Sequence, residues 1–367
     1  MKEIAIKQRF YPTPEQAQLL AQTFGCVRFV YNKILKWRTD AFYNDAQKIN
    51  YNAASSKLTE IKKLPEFEWL NAVSCVPLQQ SLRHQQTAFK NFFEGRAKYP
   101  TFKKKRSNQS AEFTKSAFKY KDGKIYIAKS QQPLDIRWSR DLPSEPTTIT
   151  ITKDSADRYF VSMLCRFEPK PLPVSKRTTG IDLGLTDLVI TADGFKSGNP
   201  HHTANHARKL ALAQRRLSKK KKGSANFHKA RQKVARIQAK IADCRRDFTH
   251  KLTTKLINEN QVISCESLSV KNMVKNKRLA KAISDANWGE LVRQLTYKAD
   301  WYGRALVQID KWYPSSKRCN CCGHVVESLP LHIRHWSCPA CKTRLDRDVN
   351  AAMNIKAAGQ AVLACGA

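Results

Sequence analysis

Acidic residues are scarce in this sequence. Among 367 residues, 30 Asp and Glu stand against 66 Lys and Arg, leaving a formal charge of +36 and a pI near 10.0. A compact chain so charged repels itself unless a polyanion neutralises it, which makes nucleic acid the leading partner. Long apolar runs are missing too: the chain has no stretch of eighteen apolar residues and no basic amphipathic anchor, so a membrane is not expected to take up the charge. Residues 1–10 alternate charged and apolar side chains and lack the apolar core of a signal peptide, so a cytoplasmic protein is expected. A disulfide framework is also absent. Of eleven cysteines, five crowd between Cys319 and Cys341, while Cys26, Cys75, Cys165, Cys244, Cys265 and Cys365 are scattered. In a reducing compartment such clustering reads as metal binding.

What is present is enough to fold. With 41% hydrophobic residues, including seven Trp, sixteen Phe and eleven Tyr, the chain can fill real cores, which excludes a disordered polycation. Its length exceeds the roughly 250–300 residues at which one core stops growing, so several domains are expected. An alternating segment at 4–10 is followed by Thr13-Pro14-Glu15-Gln16, a capping box with proline at the first helical position. A helix should run from there through Trp37, with a break or kink at Gly25. A second helical region spans 78–93, then a basic block follows at 103–106. The period changes to that of strands at 118–129, around Asp122-Gly123, and in a further hairpin at 147–153 and 159–167. The proline-rich segment 168–174 marks a domain boundary.

Beyond it, strands are expected at 179–185 and 188–191, then a long helical region over 206–258. Within that region Ala230, Val234, Ile237, Ile241, Cys244 and Phe248 form one apolar stripe. The other faces are basic, with sixteen Lys or Arg between Arg208 and Lys251 against Asp243 and Asp247. Arg208, Lys209, Arg215, Arg216, Lys229, Arg231, Lys233 and Arg236 are the candidate nucleic-acid contacts, and residues 219–224 should form a solvated tip between two helices.

Three segments carry candidate catalytic acids. Asp182 lies in a strand between Gly180 and Gly184, glycines that would let backbone approach a phosphodiester closely. Glu266 ends the apolar run 262–265, and Asp346 and Asp348 open a helix, where the dipole favours carboxylates. Phosphodiester hydrolysis needs an activated water and a stabilised leaving oxygen, which two magnesium ions held by clustered carboxylates supply. The remaining signal is a pair of CxxC knuckles, Cys319/Cys322 and Cys338/Cys341, separated by fifteen residues and fitting one structural zinc in a four-thiolate ribbon. Cys321 leaves the register open by one position; His324, His332 and His335 read as loop residues.

These residues resemble the TnpB family of insertion-sequence proteins, relatives of type V CRISPR effectors. The resemblance rests on Gly180-Ile181-Asp182-Leu183-Gly184, on Cys265-Glu266-Ser267-Leu268, on Trp312-Tyr313-Pro314-Ser315-Ser316-Lys317 leading into the knuckles, and on Asp346-Arg347-Asp348-Val349-Asn350-Ala351-Ala352. In the first half it rests more loosely on residues 25–32 and 99–103. It implies a multidomain α+β protein: a small β-barrel wedge (1–12 and 107–172), a helical recognition lobe (13–106) and an α/β RNase H-like (RuvC) nuclease domain (173–367) with an inserted zinc ribbon (315–345). It further implies an endonuclease guided by an RNA that cuts double-stranded DNA beside a short adjacent motif, with Asp182, Glu266 and Asp348 as catalytic magnesium ligands and Asp346 as a helix cap or supporting residue. A homodimer is left open. The rival readings are a DDE-type transposase, which joins strands with similar acids, and a non-catalytic zinc-containing nucleic-acid binder.

Overall fold

The computed structural model describes residues 1–106 and 108–366. Ser107, the expected start of the returning wedge segment, and Ala367, the end of the expected nuclease domain, lie outside the described residues. The chain divides into two compact units, Met1–Glu168 and Pro169–Ala367. The first contains β1 (Lys2–Tyr11), α1 (Pro14–Asp45), α2 (Tyr51–Lys63), a 3-10 segment (Pro65–Ala72) and α3 (Cys75–Phe93), then β2 (Gln109–Thr114), β3 (Phe118–Lys121), β4 (Lys124–Ile127), β5 (Asp135–Arg137), β6 (Thr148–Lys153) and β7 (Tyr159–Phe167).

The Thr13 hydroxyl accepts the Gln16 N–H at 3.3 Å and the Gln16 side-chain oxygen accepts the Thr13 N–H at 3.1 Å, so the capping box starts α1. The helix then runs unbroken to Asp45, correcting the expected break at Gly25. A lone helical glycine costs about 1 kcal/mol against alanine, and the burial of Leu20, Phe24, Val27, Val30 and Ile34 on either side outweighs that. Strands join in the order β2-β6-β7-β1-β5, every pairing antiparallel. Phe10, Phe113, Ile149, Ile151 and Met163 from the sheet share one core with Leu20, Phe24, Ile34, Leu78 and Leu82 from the helices. Among the described residues no ladder joins the β2 and β5 edges, so the expected closed barrel is not shown. The β3–β4 hairpin turns at Asp122 and Gly123, both at positive φ (51° and 71°), as a two-residue turn of this type requires.

The second unit contains β8 (Thr178–Asp182), β9 (Ile190–Thr191), α4 (His202–Asn205), α5 (Ala207–Ser218), α6 (Ala225–Glu259), β10 (Val262–Glu266), α7 (Val270–Met273), α8 (Ala280–Ala286), α9 (Trp288–Tyr302), β11 (Ala305–Ile309), β12 (His335–Ser337), β13 (Arg344–Asp346) and α10 (Arg347–Ala364). Its main sheet has the order β11-β10-β8-β9, with β10 parallel to both neighbours and β9 antiparallel at the edge. A strand covered on both faces reads as a nearly continuous apolar run, which is why β10 shows no clean alternation. Ile181, Ile263 and Cys265 pack with Leu252 and Leu256 of α6 and Leu291 and Leu295 of α9. On the opposite face lies α10.

That helix, for Gly180, and the turn after β8, for Gly184, give the glycines another reason than ligand approach. A Cβ on Gly180 would stand 2.1 Å from the Ala352 carbonyl oxygen and 2.4 Å from the Lys356 nitrogen, and one on Gly184 2.8 Å from the Asp187 carbonyl oxygen. Gly359, in turn, stands against Ser264 of β10. Gly180 thus lets helix backbone, not ligand, lie directly on β8. Gly180→Ala is expected to destabilise the second unit by about 3 kcal/mol through overpacking against backbone that cannot yield. Gly25→Ala, with nothing within 4 Å of the added Cβ, is the control and should be neutral or slightly stabilising. Denaturant unfolding of both variants checks the contrast.

Candidate active site

Strands β8 and β10 run parallel and side by side, with Ile181 in register with Cys265. The next residues are Asp182 and Glu266, so both carboxylates leave the sheet at one C-terminal edge, where open α/β sheets receive ligands. Asp348, in the first turn of α10, lies near enough for its charge to act on Asp182. The Asp182 carboxyl is pushed up to about 7, mostly by burial, then by the charges of Glu266 and Asp348. Cys265, alongside, is pushed up to about 12 by burial and by Glu266.

Asp346 does different work. Its side-chain oxygen accepts the N–H groups of Asp348 at 2.9 Å and Val349 at 3.1 Å, capping α10. Its other oxygen lies 2.8 Å from Lys196 Nζ. Of the two acids, Asp346 is therefore committed to holding the helix start.

Several side chains around this edge were given no role from sequence, although Ser315 and Asn350 stand in the motif segments. The buried Ser315 hydroxyl donates to Glu266 Oε1 at 2.5 Å, and Arg334 Nη1 donates to both oxygens of Asp348 at 3.1 and 3.2 Å. Asn350 and Asn354, one turn apart on α10, donate to the carbonyls of Arg318 and, from Asn354, of Ser315; the Asn350 oxygen accepts the Asn320 N–H. The helix that carries Asp348 is thereby tied to the first cysteine knuckle. The available signal was an Asn pair at i, i+4 amid small residues, a spacing that puts both on one face.

The knuckles close on themselves. Cys319, Cys322, Cys338 and Cys341 have all four sulfurs within 4.8 Å of one another, with Cys319–Cys341 at 3.7 Å and Cys322–Cys338 at 3.6 Å. A tetrahedron with metal–sulfur bonds of about 2.3 Å has edges of about 3.8 Å, so the donor set and its size fit one zinc. Cys321 is exposed and outside the set. The carboxylate edge offers only oxygen donors, the kind magnesium takes. Its mutual repulsion is what a divalent cation would offset.

The eight candidate nucleic-acid contacts, Arg208, Lys209, Arg215 and Arg216 on α5 and Lys229, Arg231, Lys233 and Arg236 on α6, are all exposed. Val234 and Ile241 of the stripe are buried, so apolar and basic faces segregate as the periodicity requires. Residues 219–224 form the tip between the two helices. Among the described residues no helix is long and apolar enough to cross a membrane.

An oxygen-donor edge on a parallel sheet is thus tied through α10 to a four-thiolate cluster fit for a metal, and family models match along the chain. Residues 288–355 match the Cas12f1-like TNB domain, 161–277 a domain described as "Probable transposase", and 1–47 one described as "Helix-turn-helix domain". The last segment here forms β1 and the single helix α1. A Streptomyces pristinaespiralis protein named "Putative RNA-guided DNA endonuclease" is 54% identical over 99% of this chain and 90% of its own. An Escherichia coli K12 protein, "Putative RNA-guided DNA endonuclease InsQ", is 32% identical over 99% of this chain and 94% of its own. A cryo-EM structure of a Cas12f1–sgRNA–target DNA complex superposes with a TM-score of 0.58 at 15% identity, covering 94% of this chain and 83% of that one, a likeness of fold. The chain belongs to the TnpB family.

Proposed function

We propose that this protein is an RNA-guided DNA endonuclease associated with a transposable element, cutting double-stranded DNA beside a short adjacent motif. The observation that carries the reading is the gathering of Asp182, Glu266 and Asp348 at one sheet edge from β8, β10 and α10. The names of the two relatives support it. In this reading 173–367 is a RuvC-type nuclease domain of RNase H-like fold with the ribbon at 315–345, 1–12 and 107–172 form the wedge, and 13–106 the recognition lobe.

Asp182, Glu266 and Asp348 would hold two magnesium ions, which supply an activated water and stabilise the leaving oxygen. The protein's own groups do the positioning. Ser315 orients the Glu266 carboxylate, Asp346 fixes the turn from which Asp348 projects, and Arg334 keeps Asp348 oriented while holding a cation near the place of the phosphate. Zinc on Cys319, Cys322, Cys338 and Cys341 folds the ribbon that delivers Ser315 and Arg334. The test is sequencing of the RNA that copurifies with the protein, followed by cleavage of a duplex matched to that RNA in magnesium. Strand joining in place of hydrolysis would favour a DDE-type transposase, and neither activity would favour a binder.

The basic faces of α5 and α6 are the proposed phosphate contacts. Replacing Arg215, Arg216, Lys229 and Arg231 together with Gln is expected to weaken RNA binding and to flatten the slope of log affinity against log salt by about 3, since each lost phosphate contact removes roughly 0.7–0.9. Filter binding across a salt series measures it; an unchanged slope would remove these helices from the interface.

A further inference from the structure

The first unit carries a hollow that neither the carboxylate edge nor the basic helices use. It has a volume of about 680 Å³ and opens between the C-terminal parts of α1 and α3. Phe42, Tyr43, Phe93 and Tyr99 line it at 46%, 77%, 67% and 37% exposure, over a deeper Phe89. Exposed aromatics scattered singly are ordinary, whereas four around one hollow mark a surface that binds something.

Arg38 also lines the hollow, and it narrows the choice of occupant. It is only 5% exposed, and its guanidinium donates to Gln85 Oε1 at 3.2 Å, to the Ile49 carbonyl at 2.6 Å and to Gln86 Oε1. All three acceptors are neutral, the guanidinium lies 4.9 Å over the Phe89 ring, and its Nε has no partner. Among the described residues no carboxylate pairs with this buried cation, an arrangement that is costly until an anion arrives. Lys48 and Lys90 add positive charge at the rim, and the rim acid, Glu94, is already paired with Arg96 and Lys90. A purely apolar partner would leave the Arg38 charge unanswered. A nucleotide answers both halves of the site, its base stacking on ring faces and its phosphate meeting cations.

We propose that the hollow between α1 and α3 binds one unpaired nucleotide of an RNA, its base against Tyr43, Phe93 and Tyr99 and its phosphate toward Arg38, Lys48 and Lys90. RNA is the fitting source because its loops and bulges present splayed bases, whereas duplex DNA keeps its bases stacked. The inference rests on the RNA-guided reading and adds a contact apart from the basic helices of the second unit.

The full chain, purified with its own RNA, is crosslinked by ultraviolet light and its peptides read by mass spectrometry, beside the double variant Tyr43→Ala/Phe93→Ala. Both side chains are exposed, so the variant should keep its melting temperature. RNA adducts are expected on peptides bearing Tyr43, Phe93 or Tyr99, and the variant should bind the copurifying RNA about tenfold more weakly. Adducts confined to the second unit with unchanged affinity would overturn the proposal and leave the RNA-guided reading standing. DNA adducts alone at the hollow, or a variant that changes oligomeric state but not RNA affinity, would also overturn it. A protein that carries and binds no RNA would overturn both.

Discussion

Cys338→Ser is expected to release the metal from the ribbon and unfold residues 315–345. Structural zinc sites in finger peptides contribute about 10–16 kcal/mol at neutral pH, so the binding energy of such a site is folding energy. Cys338 is fully buried among the four sulfurs, and a hydroxyl cannot replace a thiolate there. The loss should spread, because Asn350 and Asn354 of α10 hold the carbonyls of Arg318 and Ser315 in the segment leading into the first knuckle. Once the ribbon opens, Glu266 loses Ser315 and Asp348 loses Arg334. Elemental analysis should give about one zinc per native chain and none in the variant, with new proteolytic sites inside the ribbon. The exposed Cys321→Ser is the control and should keep its metal. A native protein without zinc would refute the assignment.

Asp182→Ala should lower cutting by about a thousandfold or more while leaving RNA-directed DNA binding nearly intact. In the proposed role the carboxylate would act on metal and transition state and not on the exposed basic faces of α5 and α6 proposed to neutralise phosphate. Asp348→Ala should behave alike. Asp346→Ala should weaken cutting much less, because this acid caps α10 and meets Lys196, and a lost cap costs about 0.5–2 kcal/mol of local stability. Rates measured in magnesium on a guide-matched duplex separate the three. Wild-type cutting by both Asp182→Ala and Asp348→Ala would show that the chemistry lies elsewhere.

Local features were legible wherever a short-range rule governs them. The Thr13–Gln16 box, the Asp122-Gly123 hairpin, the tip between α5 and α6 and the two knuckles all follow from residues within a few positions of one another. Short or mixed elements were harder: α2, lying in a stretch read only as polar, and α9 and β11 were not anticipated, since α2 buries only Ala54, Leu58 and Ile61 and α9 carries the polar Gln294 and Lys298 within its buried face. Gly25 misled in the other direction. A glycine reads as a break in an isolated segment, and only the shared core of helices and sheet explains why α1 continues through it.

By itself the sequence pointed to a polyanionic partner through its lack of acids, to a candidate zinc site through four cysteines at fixed spacing, and to the segments in which acids meet strand ends and a helix start. The tertiary structure decided what those acids touch. Asp182 and Glu266 become neighbours because β8 and β10 pair in parallel with Ile181 opposite Cys265, a register that no local pattern contains. Asp346 and Asp348 part ways because α10 begins at that point, turning one carboxylate to the helix's own amides and the other to Arg334, within reach of Asp182's charge. Gly180 is required by a helix more than a hundred and fifty positions further along, since only the packed fold brings the Ala352 carbonyl within 2.1 Å of where a Cβ would stand.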